Sequence, residues 1–587
     1  MSNAPNVVGI SAYFHDAAAC LMQDGVLVAA VQEERFTRQK HEPRLPVEAF
    51  RWCLRHAKLS VEDIDCVAYY EDPRQKLARQ MAQLWPNVTQ ERCLELWQRM
   101  QRPSEEICDV LGYHGPVVFA DHHMSHAASA FHFSGLREAA ILTADGVGEW
   151  ATTAYGVGKE HEISLFETVQ FPHSLGLLYS TVTAYLGFGV NDGEYKVMGL
   201  AAHGTPRYVA QLQKVIESLP GGQFRLHSDY FDFARPDWMH SALLQDELGQ
   251  GPRRTADSVT PFHADVASSV QMVLENILLE KVRYLHGRVP ADHLCMAGGV
   301  ALNCVANARI RREGPFKSIF VQPAAGDSGG ALGAAALACV DASGERRQPA
   351  MRHAYWGPGY SNTEVAEALE AVGATAVRLD HDDEALIESA GTLLLEGKVI
   401  GWFQGRMEFG PRALGARSIL ADPRDPDVRD RLNAIIKQRE SFRPFAPAVL
   451  ERAAGEHFDL DHPSPFMLEV CAVRSRLEVP AITHADGTAR VQTVDGQANP
   501  RFARLLEWFD RRTGCPMLLN TSFNLQNEPI VGSPRDALVS FARSHLDALV
   551  IEDYVVRRSD LLPAFTTVCK ALRPPPQAQS DRVYTFW

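Results

Sequence analysis

NVVGISAYFHDAAACLMQDGVLVAAVQ, residues 6–32, decides the fold class of this chain. VVGIS reads as a strand, AAACLM as a second and VLVAAVQ as a third. Gln23-Asp24-Gly25 separates the last two, and an Asp-Gly pair between apolar runs predicts a tight hairpin. A polar loop, Ala12 to Asp16, separates the first two and carries His15. A second copy of the plan begins at Ala139, with strand AAILTA, the polar loop Asp145-Gly146-Val147-Gly148-Glu149 and strand WATTAYGVG. Two such units separated by a helical region predict a duplicated α/β domain. Its two loops should face one cleft, where the chemistry of such folds sits.

The helical region opens with ADHHMSHAASAFHFSG, residues 120–135, which places three histidines within five positions. Histidine is an indifferent helix former, so the group has two readings, a solvated helix start or a metal pair. At about 100° per residue, His122 and His126 lie about 40° apart around the axis, and His123 and His126 about 60° apart. The first pair shares a face better and is the better chelate candidate. A zinc peptidase would need H-E-x-x-H, and HHMSH has no glutamate at the base position.

Further on, residues 262–285 carry apolar side chains at helical spacing and predict a long helix. HLCMAGG predicts a strand, followed by a helix through Ile310, and SIFVQP another strand, followed by AAGDSGGALGAAALACV. Gly326, Gly329, Gly330 and Gly333 around that last helix start would let backbone approach an anion, or would serve tight packing alone. Residues 341–362 are polar and rich in Gly and Pro, which marks a boundary. The expected division is 1–345, a linker at 346–365, and 366–587.

Beyond the linker, a helix is expected over 383–396 and a strand at VIGWF. The segment 405–450 then packs eight arginines and one lysine into a chain whose net charge is −14. Guanidinium forks bind phosphate or carboxylate oxygens in pairs, and a solvated basic face would mix in more lysine. Arg424, Arg429 and Arg431 are expected to pair with local carboxylates, and Arg406, Arg412, Arg417, Lys437 and Arg443 to form an oxyanion site. PAITHADGTARVQT and LLNTSFNLQNEP place short hydrogen-bonding side chains after strands, where they satisfy turns or grip a small polar substrate.

The bulk composition agrees with a globular enzyme. The 587 residues are 46% apolar and 22% charged, enough for two or more domains with ample cores. The acidic balance argues against a general nucleic-acid or membrane binder. Eleven cysteines without a C-x-x-C pair suggest reduced thiols. The start MSNAPNVVGIS lacks a basic region followed by an apolar one, and no window approaches ~18 uninterrupted apolar residues. A cytoplasmic location is expected.

HHMSHAAS, residues 173–204, GGVALN, GDSGGALGAA, EFGPRALGARSIL, FRPFAP, DGTARVQT and LNTSFN occur in an order that resembles the nodulation-factor and antibiotic O-carbamoyltransferases over nearly the whole chain. The resemblance implies an N-terminal domain of the actin-like ATPase fold, similar to Kae1, and a C-terminal domain similar to YrdC. The second would turn carbamoyl phosphate and ATP into carbamoyl-adenylate. The first would pass the carbamoyl group to a hydroxyl of a small-molecule acceptor, with neither nucleic acid nor membrane as partner. It implies a divalent metal, typically iron, on His122, His126, Asp145 and Asp327. Mixed imidazole and carboxylate ligands suit Fe(II), Mn(II) or Zn(II), with Mg(II) a further candidate. His15 matches the acceptor-side histidine. Lys40, Gly298, Gly299, Asn303 and Gly326 match nucleotide-side positions. Arg412, Lys437, Arg443, Arg490, Asn520 and Ser522 match contacts to carbamoyl phosphate and ATP, with Lys437 and Arg443 counted as catalytic. His123 is expected outside the ligand set, in support of it or at the surface, and Asn191, Glu194 and Lys196 as local cleft structure. The alternatives are an actin-fold phosphotransferase or a non-catalytic metal- or nucleotide-binding protein.

Overall fold

The computed structural model describes residues 5–571 except 87, 234–237, 380–382 and 438, and the side chains of 435–437 are likewise outside the described set. Two compact units result. The first holds the described residues up to Glu34 together with His41–Met351, and the second holds Arg35–Lys40 together with the described residues from Arg352 onward.

The strands of the first unit run in chain order β1 (Asn6–Ser11), β2 (Ala18–Gln23), β3 (Val26–Gln32), β4 (Cys66–Tyr69), β5 (Val117–Phe119), β6 (Glu138–Ala144), β7 (Ala151–Lys159), β8 (Glu162–Gln170), β9 (Ile216–Leu219), β10 (Gln223–Leu226), β11 (His293–Ala297) and β12 (Ser318–Val321). One sheet has the order β3-β2-β1-β4-β5 and another β8-β7-β6-β11-β12. In each, an antiparallel meander of three strands continues into two parallel ones. The duplication expected from the two strand–loop–strand units is therefore a duplication of whole sheets. Gly25 adopts φ 73° in the predicted hairpin turn, after Asp24 at φ 52°.

Helix His122–Ser134 and helix Asp327–Ser343 pack on one another through small residues. A Cβ on Gly333 would lie 1.7 Å from the Ser125 carbonyl oxygen, and one on Gly9 of β1 would lie 2.0 Å from that of Ala331. Side chains at these points would hold helix from helix and strand from helix. Gly329, Gly330 and Gly333 of GDSGGALGAA thus serve close packing inside the unit, one of the two uses open from sequence.

The long helix Pro261–Arg288 carries Lys281, fully buried. Its ammonium donates to Tyr155 Oη at 2.9 Å and to the Gly222 carbonyl at 2.8 Å, pinning the turn between β9 and β10. Burial pushes this amine down to about 7.

The second unit is built on an eight-stranded mixed sheet. Its strands are β13 (Val377–Arg378), β14 (Ile400–Phe403), β15 (Arg417–Ala421), β16 (Ala446–Leu450), β19 (Gln492–Val494), β20 (Met517–Ser522), β21 (Ala548–Ile551) and β22 (Tyr554–Arg557), with β17 (Cys471–Ala472) and β18 (Thr488–Ala489) forming a separate pair. The sheet order is β13-β22-β21-β14-β15-β20-β16-β19. Helices Asp383–Leu395 and Pro500–Thr513 touch where Gly391 leaves room for the Trp508 ring. The segment Arg35–Lys40 joins this unit by tight polar ties that no local pattern announces. Arg38 donates to the Ile530 and Pro529 carbonyls at 2.7 and 2.8 Å, and Arg35 to that of Gly410 at 2.9 Å. No helix among the described residues is long and apolar enough to cross a membrane.

Two predictions follow from this packing. Gly to Ala inside a helix ordinarily gains up to about 1 kcal/mol from propensity. Gly333→Ala should instead destabilise by about 1–3 kcal/mol, because the methyl meets backbone, and a urea midpoint at or above that of wild type would contradict the packing described. Lys281 releases its proton more readily folded than unfolded, so the unfolded chain binds more protons between pH about 7 and about 10.5. Its contribution is therefore least favourable below about 7 and improves as pH rises. Relative to Lys281→Met, wild-type stability should improve steadily across that window, measured as the difference in urea midpoints at each pH.

Candidate functional site

The helix His122–Ser134 begins as it does because Asp121 caps it, its carboxylate accepting from the Met124 amide at 2.8 Å. Glu149, from the loop after β6, accepts the His122 amide at 3.0 Å and the Asp72 amide at 2.7 Å. Buried among like charges, Glu149 is raised to about 7, mainly by desolvation. This cap turns His122 and His126 inward, where both are buried.

The two imidazoles meet two carboxylates. His122 Nε2 lies 3.1 Å from His126 Nε2 and 3.1 Å from Asp145 Oδ2, and His126 Nε2 lies 3.5 Å from that oxygen. Asp327 Oδ1 stands 3.8 and 3.6 Å from the same two nitrogens. One ligand atom from each of the four residues lies within 4.8 Å of every other. Bonds of about 2.1 Å to a central ion imply donor separations of roughly 3.0–3.4 Å in a compact shell, and the closest contacts here fall in that range. The donor set therefore fits a divalent transition metal.

The electrostatics point the same way. Burial opposes a charge on His122, yet the Asp145 hydrogen bond and the Asp327 charge outweigh it and raise the ring to about 10. Asp145 is held well below the usual carboxylate range against burial by the two histidines. The site is a buried well for positive charge.

Asp145 ends β6, and its other oxygen accepts the Gly299 amide at 2.8 Å. Gly298 has φ 93°, and a Cβ there would strike the Ala144 carbonyl oxygen at 2.2 Å. Gly298 also donates to the Ala325 carbonyl at 2.8 Å, joining the loop after β11 to the one that leads into Asp327. Gly326 is the N-cap of the helix that begins with Asp327. Asn303 caps the helix Cys304–Glu313 and pairs with Gln271 at 2.9 and 3.0 Å. Gly298, Gly299 and Gly326 thus surround the buried cluster, while the side chain of Asn303 is engaged in capping. Lys40 falls in the segment that joins the second unit.

His123 is not a surface residue. It is buried, with Nδ1 2.7 Å from Thr143 Oγ1 and Nε2 2.9 Å from the Ala151 carbonyl. Nε2–H therefore donates to Ala151 and Nδ1 accepts from the threonine. Burial drives the ring down to about 3, so it is neutral and faces away from the ligand set.

His15 lies at the open side of the cluster, about one fifth exposed, with Nε2 4.0 Å from Asp327 Oδ2 and Nδ1 3.0 Å from Asp16 Oδ2. Burial disfavours its charged form, but Asp16 and Asp327 more than compensate and raise it to about 8.

In the second unit the topology gathers the basic and amide side chains at one end of the sheet. β15, β16 and β19 start there and β20 ends there. Asn520 stands opposite Ala446 in the ladder, three residues after Arg443, and Ser522 stands opposite Ser418. Asn520 Nδ2 donates to Gln492 Oε1 at 2.8 Å and to the Ala413 carbonyl at 3.3 Å, which brings the Arg412 loop and the Arg490 strand to the same place. The Ser522 hydroxyl donates to Asn524 Oδ1 at 2.7 Å. Arg443 faces Glu440 at 3.6 Å. The side chain of Lys437 lies outside the described residues.

Sequence reasoning misassigned two arginines and missed one organiser. Arg417 is fully buried, donates to the carbonyls of Gln404, Ala416, Pro358 and Gly405 at 2.9–3.0 Å, and stacks 3.5 Å from the Phe403 ring centre. Arg406 donates to the carbonyls of Gly357, at 3.1 Å, and Trp356. Both hold backbone, because a strand-edge guanidinium with carbonyls in reach loses less than one left waiting for an anion. Glu408 shapes the Arg412 loop by accepting the amides of Leu414, Ala416 and Arg417 at 2.6, 2.8 and 3.3 Å. The acidic residue inside an arginine-rich run was the available signal. Arg424, Arg429 and Arg431 pair with Asp422, Asp430 and Asp547, at 2.7, 3.7 and 3.5 Å.

Residues 6–336 match the family model described as the carbamoyltransferase N-terminus, and residues 391–558 the one described as the carbamoyltransferase C-terminus. An uncharacterized protein, sll1178, of Synechocystis is 42% identical over 94% of this chain and 97% of its own. Nodulation protein NolNO of Sinorhizobium fredii is 38% identical over 98% of this chain and 83% of its own. The 3'-hydroxymethylcephem-O-carbamoyltransferase of Amycolatopsis lactamdurans is 34% identical over 54% of this chain and 60% of its own.

Proposed function

Since the chain belongs to the carbamoyltransferase family, we propose that it moves the carbamoyl group of carbamoyl phosphate, by way of carbamoyl-adenylate, to a hydroxyl of a small-molecule acceptor in the cytoplasm. The observation that carries this reading is the meeting of His122, His126, Asp145 and Asp327 beside His15. A cation-seeking cluster next to a partly exposed imidazole suits transfer of an acyl group from a phosphoanhydride to a hydroxyl.

The division of labour follows the charges. In the second unit, Arg412, Arg443 and Arg490 at the sheet end, together with Lys437, bind the phosphate oxygens of carbamoyl phosphate and ATP, and Asn520 and Ser522 read the amide. With water, these two substrates give carbamoyl-adenylate, pyrophosphate and phosphate. The guanidinium groups stabilise the charge that develops on the departing phosphates.

In the first unit, the four buried side chains hold a divalent metal, Fe(II) foremost, which when bound supplies Lewis-acid stabilisation of phosphate and carbonyl oxygen. Gly298, Gly299 and Gly326 let backbone approach the nucleotide side of the cluster without a Cβ in the way. His15 Nε2 takes the proton of the acceptor hydroxyl as it attacks the carbamoyl carbon. The ring has that capacity only when neutral.

The deciding experiment combines three measurements on the purified protein: its transition-metal content, pyrophosphate release with ATP and carbamoyl phosphate, and carbamoylated product from a panel of hydroxyl compounds. The panel contains a 3'-hydroxymethylcephem, an aminoglycoside and a chitooligosaccharide. About one metal per chain is expected, and His126→Ala should lose metal and product while keeping pyrophosphate release. Full product formation by metal-free protein, or pyrophosphate release indifferent to carbamoyl phosphate, would reject the reading.

A pH dependence follows from His15. With its ring raised to about 8, the neutral form grows as pH rises through that value. Transfer should accelerate from neutral pH and level off above about 9, and His15→Asn should lower the rate by about 10²–10⁴-fold and flatten this limb. A profile that keeps the limb in His15→Asn would assign the ionisation to another group.

A further inference from the structure

His15 is the near end of a chain of side chains. Asp16 Oδ2 holds His15 Nδ1 at 3.0 Å, and its other oxygen lies 2.7 Å from His41 Nδ1. His41 Nε2 lies 3.2 Å from Asp192 Oδ1. All four residues belong to the first unit, come from three separate stretches of sequence, and are about a quarter exposed or less. None is a member of the buried four-residue cluster.

The backbone braces the same line. Tyr13 donates its amide to the Pro43 carbonyl at 2.6 Å and Ala17 to that of Glu42 at 2.9 Å, so the loop bearing His15 is laced to the stretch after His41. The His41 amide donates to Glu34 at 2.8 Å. At the far end, Glu194 accepts the amides of Asn191 and Gly193 at 3.0 and 3.2 Å and the Ser180 hydroxyl at 2.7 Å, clamping the turn that presents Asp192. Asp16, His41 and Asn191 all have positive φ, at 55°, 56° and 66°. For non-glycine residues this conformation persists only where surroundings impose it.

We propose that Asp16, His41 and Asp192 are positioning residues for the transfer reaction, a chain that fixes the orientation and tautomer of the His15 ring. The inference rests on the reading of His15 as the acceptor-side base. Both nitrogens of His41 face carboxylate oxygens, an arrangement an imidazolium satisfies with two charge-assisted bonds. Asp16 then has one oxygen engaged by His41 and the other left for the Nδ1–H of His15. With its proton on Nδ1, His15 keeps the Nε2 lone pair toward the Asp327 side, where the hydroxyl must lose its proton. A carboxylate behind a histidine sets the tautomer in this way. Here the carboxylate is itself held by a second histidine and a second carboxylate.

The test has a spectroscopic arm and a kinetic arm. Long-range ¹H–¹⁵N spectra of histidine-labelled protein, recorded where the His15 ring is neutral and assigned with His15→Gln, report which nitrogen of His15 bears hydrogen. The wild type should show the Nδ1–H tautomer, and His41→Ala and Asp192→Ala a shift toward Nε2–H. An unchanged tautomer in both variants overturns the inference, whatever the fate of the base reading. In the kinetic arm, with whichever acceptor of the panel is carbamoylated, His41→Ala should lower kcat for transfer by about 10–100-fold with little change in acceptor KM. In a His15→Ala background the same substitution should cost nothing further, because its effect runs through the ring already removed. A loss that persists in that background overturns the positioning role but leaves the base reading standing. Undiminished transfer in His15→Ala alone overturns the base reading.

Discussion

Two carboxylates buried against two imidazoles create a demand for positive charge in the interior of the first unit, and the elements that carry them are arranged to meet it. An isolated buried carboxylate is expensive, and its cost is relieved only by pairing or coordination. The chain brings Asp145 from the end of one strand, Asp327 from the start of one helix, and His122 and His126 from another. These carriers must approach closely and keep their angles, which is why glycines stand where the two helices touch and where the Asp145 loop meets Gly298. The duplicated sheet order supplies the symmetry of loops, and the glycines supply the distance.

The same constraint explains the layers around the site. Glu149 caps the ligand helix from the Asp145 loop, so His122 and Asp145 are tied together through backbone as well as through their side chains. Gly299 fixes the second oxygen of Asp145, leaving the first for the cluster. His123, next to His122, is spent on Thr143 and Ala151 and locks the helix to the neighbouring sheet. Each neighbour removes a rotational freedom that a metal-binding side chain would otherwise have to lose on binding. In the second unit Glu408 and the buried Arg417 build the loop that carries Arg412 by engaging its backbone amides and carbonyls.

Much of this was legible in the linear sequence because it is local. The period-2 runs, the Asp24-Gly25 turn, the HxxxH spacing and the long helical pattern before Arg288 are each determined by neighbours a few residues apart, and the structure contains all of them. The ordered series of motifs also marked the family. Less legible were the partners. Arg406 and Arg417 read as anion-binding forks because charge and spacing cannot reveal six carbonyls arriving from residues 356–416. His123 read as peripheral because helical angle says which way a side chain points but not what stands there.

By itself the sequence determined the element types, the duplication, the residues able to ligate a metal and the local basic run at 405–450, since propensity, periodicity and charge are properties of short stretches. The tertiary structure alone decided which of those residues meet. It joined Arg35–Lys40 to the second unit, set Asp192 against His41, and closed the chain from Asp16 to the ring of His15. The contact between Asp192 and His41 spans 151 positions of sequence. No local rule encodes it, because it exists only once burial of both sheets has brought three loops to one place.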